Sequence, residues 1–152
     1  MPDPPHPPRR DARNTSALTG TYTYRSFLER PDPVDDFNVL RFAQATLRLT
    51  ADADGALHGE PILSDPGEEP ALIMDMVGRA EDSPRLPFTL SGRGRPPVAD
   101  LHYDHDVVVL RHWETGTDQR MVLAGAALRA EPHSGGPAGQ TARFLAVRRC
   151  GA

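Results

Sequence analysis

Between Leu18 and Arg149 the chain reads as short lengths of two-residue alternation, cut by turn chemistry. In 18–28, Tyr22 and Tyr24 fall on one side and Thr21, Thr23 and Arg25 on the other. Aromatic and β-branched residues in that pattern predict a strand. A second strand is expected near 42–50, where Phe42, Ala45, Leu47 and Leu49 oppose Thr46, Arg48 and Thr50. Further strands are expected at 56–63, 71–79, 85–93, 98–112, 119–130 and 140–149. The stretch 71–79 is apolar on both sides except at Asp75. Asp54-Gly55 predicts a type I′ hairpin turn, because glycine supplies positive φ. Pro66-Gly67, Ser83-Pro84, Pro96-Pro97, Gly116 and the Gly/Pro stretch 132–139 mark the other breaks. No long helix is visible. A single helical turn is expected through Phe37 and Leu40, capped by Asp35 or Asp36, within the long link 29–41.

Eight strands joined mostly by short connections place neighbours in sequence next to each other in space, antiparallel. The expected class is all-β, an eight-stranded antiparallel up-and-down barrel, which removes both exposed edges. Its interior would take side chains or one small ligand. A two-sheet sandwich is the structural alternative. Five of the first eight residues are proline, so 1–16 reads as a Pro-rich disordered tail and 17–150 as a single barrel domain. A PxxP ligand for a partner domain is the functional reading of that tail.

Composition narrows the chemistry. All 17 basic residues are arginine, and there is one cysteine, Cys150. Schiff-base catalysis and a lysine-bearing phosphate loop are therefore closed, as are a disulfide framework and a thiolate zinc site within the chain. A net charge of -4 argues against nucleic acid and against an anionic membrane surface as partner. No stretch approaches the ~20 apolar residues of a membrane helix. Arg9 and Arg10 are not followed by an apolar signal region, so a cytoplasmic location is expected. The arginine- and alanine-rich usage fits a GC-rich bacterial source. Nothing in the composition implies a cofactor or sets the oligomeric state.

The order of elements resembles the calycin-like, lipocalin-like barrels. Gly20-Thr21-Tyr22 opens the first strand, 29–41 forms a long first connection, and the last strand is arginine-rich from Arg143 to Arg149. In lipocalins the opening motif is Gly-x-Trp, and an arginine of the last strand packs across the indole. Tyr22 stands in the tryptophan position here, with Arg148 as the nearest partner. The resemblance implies a barrel around an interior site. Its members bind hydrophobic small molecules, inhibit proteases, hold haem or act as small cyclases, so the fold alone selects none of these.

The densest polar run is His102-Tyr103-Asp104-His105-Asp106. Strand parity puts His102, Asp104 and Asp106 on one face, in line with His112, and Tyr103 and His105 on the other with Leu101, Val107 and Val109. The first face could chelate a metal, but its ligands come from one strand, so a solvated outer face is the preferred reading and no metal site is assigned. His105 is expected inside beside Tyr103, as a buried, satisfied histidine or as a base, carbonyl donor or haem ligand. A β-bulge would reverse this parity. Tyr22 and Tyr24 are expected to face inward, and Met74 and Met76 share a face opposite Asp75. Trp113 is a candidate rim or lid residue. Arg129 is an interior cation if Met121, Leu123, Gly125 and Ala127 face inward, and solvated if the even positions do. Gly125, Ala126 and Ala127 leave space either way. Asp52-Ala53-Asp54-Gly55 lacks the later ligands of a calcium loop, and His133 beside Ser134 is no more than sequence adjacency.

The expected function is a non-catalytic barrel that binds one small apolar or aromatic molecule. Its pocket would be lined by Tyr22, Tyr24, Met74, Met76, Tyr103 and His105, with Trp113 and the 29–41 connection near an opening. A small cyclase or isomerase is the alternative, with Tyr24, Tyr103, His105 or Arg129 polarising a carbonyl. A protein-interaction module with a filled core is the third.

Overall fold

The computed structural model describes residues 15–30, 34–64, 67–81, 87–110 and 121–149. Nine strands run β1 Gly20–Leu28, β2 Arg41–Ala51, β3 Ala56–Leu63, β4 Ala71–Leu72, β5 Met74–Ala80, β6 Phe88–Gly94, β7 His102–Val109, β8 Val122–Arg129 and β9 Thr141–Arg148. Each pairs antiparallel with its sequence neighbour, β5 taking the place of the two-residue β4 along β3. β9 returns to β1, with Tyr24 opposite Ala146. The result is a closed eight-stranded up-and-down barrel, in which β4 prolongs the β5 strand position. Closure excludes the open sandwich. No helix among the described residues is long and apolar enough to cross a membrane.

The alternation puts one side of every strand into the interior. Leu47 and Leu49 of β2, Met74 and Met76 of β5, Phe88 and Leu90 of β6, and Phe144 and Ala146 of β9 are all buried. Two irregularities modify it. The expected strand 71–79 breaks at Ile73. Pairing is Gly59 with Met76 but Ile62 with Leu72, so this side carries one extra residue. At Phe42 the same happens, since Ser26 pairs with Ala43 and Phe27 with Arg41. Each bulge turns two successive side chains toward the interior, and both lie at the same end of the barrel.

The two ends differ. At the β1 N-terminal end a 3₁₀ turn, Thr15–Leu18, packs beneath the strands. Leu18 and Tyr22 are completely buried, and the Tyr22 hydroxyl donates to the Leu18 carbonyl at 2.7 Å. Thr15 is 5% exposed and donates to the Asp52 carbonyl. The folded region therefore already includes Thr15, two residues inside the stretch read as tail; residues 1–14 lie outside the described residues. At the other end a second 3₁₀ turn, Phe37–Leu40, is capped by the Asp36 carboxylate, which accepts from the Asn38 N–H. Phe37 stacks on Phe27 with ring centroids 4.2 Å apart.

One turn type departs from expectation. In the β2–β3 hairpin, Gly55 has φ +94° while Asp54 does not have positive φ. A type I′ turn needs both. The loop is instead a turn closed by the Gly55 N–H to the Asp52 carbonyl, with Gly55 alone left-handed before the pairing resumes.

Candidate functional site

The barrel encloses a cavity of about 300 Å³ between its middle layer and the Phe37–Leu40 end. Its floor is apolar, from Leu47, Met76, Phe88, Leu90 and Leu123. Its upper walls include Phe42, Leu63, Ile73, Leu101, Tyr103 and His133. Among the described residues no Asp, Glu or Arg lines it; the polar contributions are Tyr24, Ser26, Tyr103, His105 and His133.

The parity of β7 is regular. His105 is 5% exposed and faces inward with Val107, while His102 and Asp104 lie on the other face, 3.1 Å apart. On that outer face His102 also approaches Ser91 and Glu131. β8 is settled by the same geometry. Leu123, Ala127 and Arg129 are buried, so the odd positions face inward. The expected spare room divides three ways: Ala127 lines the cavity, Ala126 faces out, and Gly125 is taken up by close approach of β7, where a Cβ would overlap the Asp106 carbonyl.

At mid-depth, Tyr24 of β1 and His105 of β7 meet, with Tyr24 Oη and His105 Nε2 3.2 Å apart. Small side chains neighbour both in register, Ala127 of β8 opposite His105 and Ala146 of β9 opposite Tyr24. Phe144 packs under both, stacked on Tyr24 at 5.2 Å and edge-on to His105 at 5.4 Å. Burial pushes the His105 imidazole down to about 4, only partly countered by Asp104, so the ring is neutral at neutral pH. Burial likewise holds the Tyr24 phenol well above its ordinary range, against a smaller opposing effect from Ser26. His105 Nδ1 is buried without a hydrogen-bond partner.

At the mouth, Tyr103 lies between two groups from the β8–β9 side. Arg129 Nε donates to the Tyr103 oxygen at 3.3 Å, and Tyr103 Oη is 2.6 Å from His133 Nε2. The guanidinium can only donate, and the phenol either donates to a bare His133 Nε2 or accepts from Nε2–H, according to the tautomer. Arg129 itself stands behind Tyr103, beside a much smaller recess, and does not line the cavity. It positions the phenol and is not placed to meet a ligand.

Of the residues singled out from the sequence, Tyr24, Met74, Met76, Tyr103 and His105 come together around one space. Tyr22 does not: it belongs to the packed end, where burial pushes its phenol up to about 12. Arg148 lies opposite Tyr22 in register and donates to the Ala17 and Thr19 carbonyls, clamping the first 3₁₀ turn. Asp75 points outward and forms a two-pronged pair with Arg95 at 2.5 and 2.7 Å. Trp113 and His112 lie outside the described residues. The sequence reading missed Phe144, Ser26 and His133. Alternation along β9 marks Phe144 as inward, but nothing local to the 132–139 loop signals that His133 folds back onto Tyr103. No protein-family model matches the chain, and no curated protein matches it.

Proposed function

We propose that the chain is a small-molecule-binding barrel of calycin-like type, holding one apolar or aromatic ligand in its interior. The observation that carries this is the cavity itself. A barrel of eight strands is just wide enough for side chains to fill, and here about 300 Å³ of its interior, open toward the mouth, is left unfilled. A space of that size, with an apolar floor and a few convergent polar groups, has the character of a ligand site. It also speaks against a filled-core interaction module. The calycin-like reading is supported by the closed up-and-down order, the 3₁₀ turn under the barrel, and the last-strand arginine that holds it.

The test is titration with N-phenyl-1-naphthylamine, an apolar probe that fluoresces when removed from water. Saturable one-to-one binding is expected, and Ala45→Phe, which builds a ring into the cavity, should abolish it. No enhancement with the intact protein, or equal binding by the variant, sinks the reading. A cyclase or isomerase remains the second reading, favoured by the neutral imidazole beside a phenol in an apolar space. Turnover lost in His105→Ala with probe affinity retained would support it.

A further inference from the structure

The lining of the cavity restricts what it can hold. A charged group carried into it would leave water without meeting an opposite charge, since none of the described lining residues is Asp, Glu or Arg. Arg129, the nearest cation by sequence, is turned onto the Tyr103 oxygen and lines only the smaller recess. The ligand is therefore neutral where it is enclosed.

The hydrogen bonds then decide which polar group it carries. At the mouth the Tyr103 hydroxyl is already paired with His133, and its oxygen accepts from Arg129. At mid-depth the Tyr24–His105 pair can be arranged in two ways. If Tyr24 donates to Nε2, the ring proton sits on Nδ1, a buried donor with no acceptor, which costs ~1–3 kcal/mol. If Nε2–H donates to the Tyr24 oxygen, Nδ1 is left as a bare acceptor and the Tyr24 O–H is left to donate to another acceptor. That arrangement strands no donor only when an oxygen of a bound ligand accepts from the Tyr24 O–H, which is what a ligand in the cavity can supply.

From this we propose, building on the ligand-binding reading above, that the cavity takes a neutral aromatic or apolar carbonyl compound whose oxygen accepts a hydrogen bond from the Tyr24 hydroxyl, held in place by His105. The apolar body of the ligand occupies the floor formed by Met76, Phe88, Leu90 and Leu123. A carboxylic acid of the same shape is disfavoured, because its ionised form finds no Arg among the described lining residues. A pure hydrocarbon can enter but leaves the Tyr24 proton unused.

Three naphthalenes of nearly equal size test this by displacement of N-phenyl-1-naphthylamine: 2-acetonaphthone, 2-naphthoate and 2-isopropylnaphthalene. The ketone should bind at least ~30-fold tighter than naphthoate at pH 7. Tyr24→Phe should weaken the ketone ~5- to 10-fold, the size of one net hydrogen bond, and leave 2-isopropylnaphthalene unchanged. Naphthoate binding as tightly as the ketone overturns the proposal, and so does an equal shift of ketone and hydrocarbon in Tyr24→Phe. The ketone-to-naphthoate comparison needs no variant, so it stands even if Tyr24→Phe folds poorly. Failure of the displaced probe itself to bind would instead remove the ligand-binding reading, and this inference with it.

Discussion

The same eight strands build two different ends. Beneath the barrel, Leu18 and Tyr22 are sealed from solvent, and every polar contact noted there has a partner: the Tyr22 hydroxyl on Leu18, Thr15 on Asp52, Arg148 on Ala17 and Thr19. Toward the mouth, Ala45 and Ala127 face a cavity, Phe37 and Phe42 are exposed, and His105 keeps an unpartnered nitrogen. Alternation is common to both. What differs is side-chain volume and the completeness of the hydrogen bonds, and those two quantities separate a stabilising end from a binding end.

The largest effect should come from breaking the packed end. Tyr22→Ala removes a fully buried ring and leaves the Leu18 carbonyl without its donor. A loss of ~3–5 kcal/mol in denaturant unfolding is expected. A loss under 1 kcal/mol would mean the two ends are not energetically distinct.

Next comes the pH dependence set by the binding end. His105 is neutral in the fold down to about 4, whereas an unfolded chain protonates its histidine near 6.5. Between those values the unfolded state binds the extra proton. Stability from this residue is therefore complete above pH 6.5 and declines as pH falls toward 4, by up to ~3 kcal/mol. Other groups titrate in the same range, so the comparison is with His105→Asn, whose unfolding free energy should fall less between pH 7 and pH 4.5. Parallel curves for the two proteins would refute the burial assigned to His105.

The two ends were also unequally legible. Period-two alternation located all eight barrel strands and the inward faces of β5 and β7, because burial on one side of a strand writes itself directly into the sequence. It could not distinguish Tyr22 from Tyr24. They share a face two residues apart, yet one meets the 3₁₀ turn and the other meets His105, contacts that are 4 and 81 residues away along the chain. His133 was passed over for the same reason: its partner Tyr103 is 30 residues distant, and only the β7–β8 register brings the loop back to it. The bulge at Ile73 was hidden because its segment is apolar on both faces, and the one at Phe42 shows in the sequence only as an aromatic out of step with Ala45, Leu47 and Leu49.

A smaller effect is expected at Arg148. Arg148→Met keeps the aliphatic stem but removes the two hydrogen bonds to the Ala17 and Thr19 carbonyls. Because the guanidinium is partly solvated, roughly 1–2 kcal/mol should be lost, and amide exchange should quicken at residues whose bonds depend on the Thr15–Leu18 turn. Unchanged exchange there would show that packing of Leu18 alone holds the turn.

The finest comparison uses two alanines on either side of Tyr24. Ala45 of β2 and Ala146 of β9 both lie opposite Tyr24 in register, and both are buried, at 2% and 0% exposed. Only Ala45 lines the cavity. Adding the same three carbons at each should therefore give different outcomes. Ala146→Leu has no space to enter and should cost ~1–3 kcal/mol through overpacking against Tyr24 and Leu123. Ala45→Leu extends into the void, so its stability should stay within ~0.5 kcal/mol of the original, while N-phenyl-1-naphthylamine binding weakens. Equal destabilisation by the two substitutions would mean that the space beside Ala45 is not open in solution, and the division between a filled and a binding half of the barrel would fail at the point where it is drawn most narrowly.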